Sequence, residues 1–143
     1  MKNHPNLPAD APQWLRDADI ENPSVTIVDG VVHWHDGTWL DGEWWDGVWH
    51  YGVWLGGVWH YGWWFDGVWH DGDWRGGRWG GGVWRGGVWH KGWWHDGWWH
   101  DGDWRGGEWL GGKWHGGKKW HGGKKWHSEG PPKVKEQTTT NNQ

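Results

Sequence analysis

The chain has 143 residues, of which 24 are tryptophan and 29 glycine, with no cysteine and a formal net charge of −4. Leucine, isoleucine and phenylalanine are too scarce for an ordinary aliphatic core, and the lack of cysteine excludes disulfides, thiolate metal sites and cysteine nucleophiles. Residues 1–34 carry five acids and two bases, 35–112 eleven acids and five bases, and 113–143 two acids and seven bases, so no uniformly basic face exists to neutralise phosphates and nucleic acid is not an expected partner.

Residues 1–23 read as a polar, proline-rich leader holding an isolated Trp14 and one helical turn in PQWLRDAD. The leader has no apolar signal segment and no run in the chain approaches a membrane span, so cytoplasmic synthesis without membrane association is expected. Residues 24–33 predict a capping β-hairpin. Its Asp29-Gly30 dipeptide favours a type I′ turn, which sets Ile27 opposite Val32 and Val25 opposite Trp34. Residues 34–127 form the repeat domain, and residues 128–143, without an apolar pattern, are expected to be disordered.

The repeat is W-a-b-G-c, with nineteen tryptophan heads from Trp34 by fives to Trp114 and then at Trp120 and Trp126. Eighteen heads are followed three residues later by glycine. Position b is Asp seven times, Gly eight times, Tyr51 and Tyr61 twice and Lys91 once, while c favours Val. Each unit is therefore a short extended piece, c-W-a, joined by a two-residue corner, and glycine at one residue in five rules out helix. An all-β fold follows.

Gly37 and Trp39, Gly52 and Trp54, and Gly67 and Trp69 each place a small residue two positions before a large one. In this the repeats resemble the pentapeptide-repeat family, whose members direct both residues into a right-handed quadrilateral β-helix. The resemblance implies a β-solenoid of about 20 residues per coil, with the ladder Trp39, Trp44, Trp49, Trp54, Trp59, Trp64, Trp69, Trp74, Trp79, Trp84, Trp89, Trp94, Trp99, Trp104 and Trp109 and its glycines facing inward. Such a coil would stack Val48, Val68 and Val88 in one column, His50, His70 and His90 in another, and Trp45, Phe65, Arg85 and Arg105 in a third. An antiparallel meander of five-residue units is the alternative, because Asp-Gly and Gly-Gly corners also suit two-residue hairpins. Inward indoles need acceptors for their N–H groups, and corner carbonyls or the b-position aspartates are the candidates.

Twelve histidines invite a metal reading, and His33 and His35 share one side of a strand, but no thiolate or fixed-spacing triad joins them, so no metal or cofactor is expected. The repeats contain no serine, and Asp and His recur as a periodic surface rather than a single tuned pocket, so no catalytic residue is assigned. Surface recognition remains. Trp45, Trp63, Trp93 and Trp98 lie outside the inward register and, with Tyr51, Tyr61 and Phe65, form the candidate binding surface. Protein contact including self-association, glycan binding and simple packing all remain open for it. Lys113, Lys118, Lys119, Lys124 and Lys125 form a basic end that would cap the stack.

Two functional expectations follow. The first is a non-enzymatic structural, adhesion or protein-interaction module, since tandem W-x-x-G units resemble repeats in bacteriophage and bacterial proteins and imply a virion-associated or surface-assembly part. The second is implied by the pentapeptide-repeat resemblance, some of whose members mimic duplex DNA and bind topoisomerases. The acidic body suits that reading, while the interspersed bases weaken it.

Overall fold

Each unit of the repeat becomes one side of a coil. In the computed structural model, which describes residues 6–119, sixteen two-residue strands run from Glu43–Trp44 to Lys118–Lys119, preceded by the helical turn α1 (Gln13–Asp17) and the long strands β1 (Asp19–Val28) and β2 (Val31–Asp41). The short strands pair in parallel, each with the strand fifteen residues away: Trp34 stands beside Trp49 and Trp49 beside Trp64, Trp39 beside Trp54, and Trp44 beside Trp59. The fold is thus a β-solenoid of about five turns, and parallel pairing excludes the meander. The coil has three sides of five residues, not the four expected.

The corner glycine explains the smaller coil. From Gly37 to Gly117 the glycine closing each unit has φ between +101° and +132°, a region closed to residues with a side chain, and three such corners bring the chain back over itself. The glycines also press on the coil beneath. A Cβ built on Gly47 would lie 2.6 Å from the carbonyl oxygen of Val32, and one on Gly97 2.6 Å from that of Gly82. Glycine is required first because its corner rests on the backbone of the coil beneath, and the indoles are close as well: a Cβ on Gly52 would lie 3.1 Å from Trp34 Nε1 and one on Gly47 3.2 Å from Trp44 Cζ2. In the same stack the amide of Val58 donates to Gly42 O at 2.9 Å and that of His60 to Trp44 O at 2.8 Å, a pattern repeated up the solenoid. All seven b-position aspartates reinforce their corners: Asp66 Oδ1, for example, accepts the Gly67 N–H at 2.8 Å, as Asp96 does from Gly97.

The interior is tryptophan throughout. From Trp34 to Trp109 every head is fully buried, in three columns of parallel rings with centroids 4.7–4.9 Å apart and planes within 4–7°. Successive heads from neighbouring columns meet edge to face, at 5.7–5.9 Å and 68–76°. Each indole therefore has both offset-stacked and T-shaped partners, the two arrangements that its quadrupole favours. Its N–H points to the corner of the coil above. Trp64, Trp69, Trp84 and Trp99 donate to the carbonyls of Gly81, Gly86, Asp101 and Gly116 at 3.0–3.1 Å. In these four, corner carbonyls and not aspartate side chains are the acceptors. Trp34, Trp39, Trp44, Trp49, Trp54, Trp59, Trp74, Trp79, Trp89 and Trp94 bury Nε1 with no hydrogen-bond partner among the described residues, and those of Trp34, Trp54 and Trp74 lie against the same corners.

The N-terminal end of the columns is closed by a larger cap than the hairpin alone. β1 and β2 pair antiparallel with Ile27 opposite Val32 and Val25 opposite Trp34, through Asp29 and Gly30 at φ +51° and +79°, both positive as a type I′ turn requires. The leader joins them: Leu7, Leu15, Ala18 and Ile20 are buried, Trp14 sets its ring on the edge of Trp44 at 5.3 Å, and Arg16 ties the segment down through Pro8 O and Ala11 O. At the other end the third column reaches Lys119, which pairs with Trp104 because the unit after Trp114 has six residues. Of the basic end, Lys124 and Lys125 lie outside the described residues, as do 128–143.

Candidate binding face

Because only the tryptophan heads turn inward, positions c and a of each unit decorate the outside, and the fifteen-residue period sorts them into three faces. The first carries His33, Val48, Trp63, Arg78, Trp93 and Glu108 at c, with His35, His50, Phe65, Gly80, His95 and Leu110 at a. The second carries Thr38, Val53, Val68, Val83, Trp98 and Lys113 at c. The third carries Glu43, Val58, Asp73, Val88, Asp103 and Lys118. The columns expected from a four-sided coil are accordingly regrouped: Val48, Val68 and Val88 fall on three different faces, as do His50, His70 and His90. Trp45 and Arg105 share the third face, whereas Phe65 lies on the first and Arg85 on the second.

The seven candidate aromatics do not form one surface. Trp63, Phe65 and Trp93 share the first face, flanked at its two corners by Tyr61 and Tyr51, while Trp98 stands on the second and Trp45 on the third. The isolated two have local partners. Trp45 stacks on His60, itself 2.9 Å from Glu43 Oε1, and Trp98 stacks on His115.

On the first face flat groups pile up at the spacing of the coils. Gly80 leaves a gap in column a, and Trp63 fills it, with its ring 5.1 Å from Phe65 and 5.9 Å from His95. The Arg78 guanidinium lies between Trp63 and Trp93, at 5.3 and 4.5 Å from the ring centroids. This cation–π sandwich occupies one side of each ring. Below them His50 contacts Phe65, and His33 Nδ1 lies 3.0 Å from His50 Nε2, one imidazole donating to the other. Burial, assisted by the neighbouring His35 and His33, holds His50 below its ordinary value, and burial with the charge of Arg78 does the same to His95.

His33 and His35 do sit side by side, with ring centroids 6.1 Å apart. Among the described residues, no group of three or more His, Asp or Glu side chains is arranged to hold a metal ion. Nor is any helix among them long and apolar enough to cross a membrane.

Two hollows lie along the corner between the third and first faces. One, of about 580 Å³, is lined by Asp10, Trp14 and Val31 of the cap and by Asp46, Tyr61, Trp63 and Arg78 of the solenoid; the other, of about 490 Å³, by Tyr61, Arg75, Lys91 and Trp93. Sequence reasoning singled out Tyr61, Trp63 and Trp93 but missed Trp14, Asp10, Asp46 and Arg78. The signal was there for Arg78, which lies fifteen residues from both Trp63 and Trp93, but it becomes readable only once the coil length is known. The chain matches no family profile, no curated protein and no solved structure.

Proposed function

We propose that the chain is a non-enzymatic structural and adhesion module whose first face docks a second copy of itself. The observation that carries this reading is the mismatch between what the fold needs and what the surface holds. The columns from Trp34 to Trp109 are fully buried within one chain, so the exposed Phe65, Trp63, Tyr51 and Tyr61 complete no part of the interior. Exposed aromatics gathered on a flat sheet face are the composition of a contact surface, and a scattered set is not. The five-residue unit on a β-solenoid supports kinship with pentapeptide-repeat proteins, although three sides replace four. Likeness to W-x-x-G repeats of bacteriophage and bacterial proteins supports a place in a virion or surface assembly.

A DNA-like charged surface has less support, because the b-position aspartates bond their own corner glycines and Arg75, Arg78 and Arg85 interrupt the acidic body. Sedimentation velocity of the parent and of a Phe65→Thr, Trp63→Thr variant tests the proposal. Concentration-dependent association that the variant loses is the expected result. A parent that stays monomeric at high micromolar concentration refutes it.

A further inference from the structure

The corner groove between the third and first faces is built from two separate parts of the chain, the N-terminal cap and five successive coils, and its chemistry is selective. Its first hollow sets three flat apolar rings, Trp14, Tyr61 and Trp63, beside two carboxylates, Asp10 and Asp46, and one guanidinium, Arg78. Its volume of about 580 Å³ falls within the range of small-molecule sites. An anion entering it meets Asp10 and Asp46. A cation meets Arg78, whose charge is fixed. What satisfies all three charged groups at once is a neutral ligand carrying both donors and acceptors, with hydroxyls that donate to the carboxylates and accept from the guanidinium. The same ligand needs an apolar face to lie against a ring.

Tyr61 supplies that ring. It is 53% exposed, lines both hollows, and among the described residues no aromatic ring stacks on it, whereas Trp14 is set against Trp44 and Trp63 against Phe65, His95 and Arg78. The second hollow continues the groove past Tyr61 toward Trp93, again with charges of both signs, Lys91 and Glu108. We infer that this groove binds a neutral oligosaccharide, one sugar ring lying on Tyr61 and its hydroxyls reaching Asp10, Arg78 and Oδ2 of Asp46, whose Oδ1 accepts the Gly47 N–H. The groove shares Trp63 and Arg78 with the proposed docking face and Tyr61 with its edge, so the variants below are chosen to separate sugar binding from self-association.

The test is calorimetric titration of the whole chain with cellotriose, maltotriose and N,N′,N″-triacetylchitotriose. At least one is expected to bind reversibly at millimolar concentration or below. Tyr61→Gly and Tyr61→Asp introduce residues that occupy position b in fifteen other units, so the coil is retained, and each is expected to weaken binding roughly tenfold or more. Tyr51→Gly, the same change at the other corner of the face, is expected to leave binding unchanged. Three results overturn the inference: no binding of any of the three sugars at millimolar concentration, equal binding by both Tyr61 variants, or tighter binding of sialyllactose or tetramethylammonium than of any neutral sugar. Association that survives Tyr61→Gly while sugar binding is lost separates this site from the docking face.

Discussion

Gly56 and Gly57 are neighbours in one corner, yet replacing them with alanine should have opposite outcomes. Gly57 has φ +111°, and a Cβ there would fall on the carbonyl oxygen of Gly42 in the coil beneath. Gly56 has no such restriction, and its Cβ would make an ordinary contact with Leu40 O at 3.5 Å. Three effects act on Gly57→Ala. A backbone region essentially reserved for glycine costs about 1–3 kcal/mol. Forcing the coils apart costs about 1–3 kcal/mol more, as overpacking does in a tight core. Disturbing the bond from Val58 N to Gly42 O, 2.9 Å long, adds about 0.5–1.5 kcal/mol. The total, about 2.5–7.5 kcal/mol, is a large part of a domain's usual stability of about 5–15 kcal/mol. Gly56→Ala should change stability by less than about 1 kcal/mol, in either direction. The clash occurs at Cβ, so Gly57→Leu should cost little more than Gly57→Ala. Urea unfolding followed by tryptophan fluorescence, with the thermal midpoint as a check, measures all three variants. If Gly57→Ala is mild and Gly57→Leu severe, glycine serves to make room for bulk and the stacking argument fails. If Gly56→Ala costs as much as Gly57→Ala, the corner's backbone is not what matters.

Trp84→Ala, in the middle of a column and fully buried, should lose about 3–5 kcal/mol, and equal loss in a Trp84→Phe variant, which keeps a ring in the column, would show that neither ring area nor the stack carries that stability. Arg78→Gln should cost only about 0.5–1 kcal/mol, since its sandwich lies at the surface, and a thermal midpoint indistinguishable from the parent's would remove the cation–π contact as a stabilising element. Burial lowers the values of His50, His90, His95 and His100 below the ordinary 6.5, so the unfolded chain takes up protons first. Their contribution is complete above pH 6.5 and is lost as the pH falls through the folded-state values. The facing groups are His33 and His35 for His50; Asp73, Arg75 and Arg105 for His90; Arg78 for His95; and His115 and Arg85 for His100. The thermal midpoint should therefore drop between about pH 7.5 and about pH 5, and a midpoint that rises over this interval would reverse the sign of the argument.

Much of this molecule can be read from its residues because its rules are local. A tryptophan every fifth position with a glycine corner determines an extended unit, an inward indole and an outward c and a, and the Asp29-Gly30 turn determines the register of Ile27 on Val32. None of these needs knowledge of distant residues. The number of units per coil is different, since it depends on how far each corner bends and on which backbone lies beneath it. Gly67 looks the same in sequence whether it fills an interior or rests on Gly52, and only the stacked coils show that its φ of +121° and its contact with Gly52 decide the matter. The binding face inherits that dependence. Trp63, Arg78 and Trp93 become neighbours at a period of fifteen and strangers at a period of twenty, while Trp98, which has the same sequence setting as Trp93, is carried to another face. Trp14, isolated in the sequence, finds Trp44 only because the leader folds back over the open end of the columns. The sequence by itself determined the strand, the corner and the direction of the heads from Trp34 to Trp114. Which side chains meet on the outside was decided by the closure of the coil, a long-range property that no five-residue unit contains.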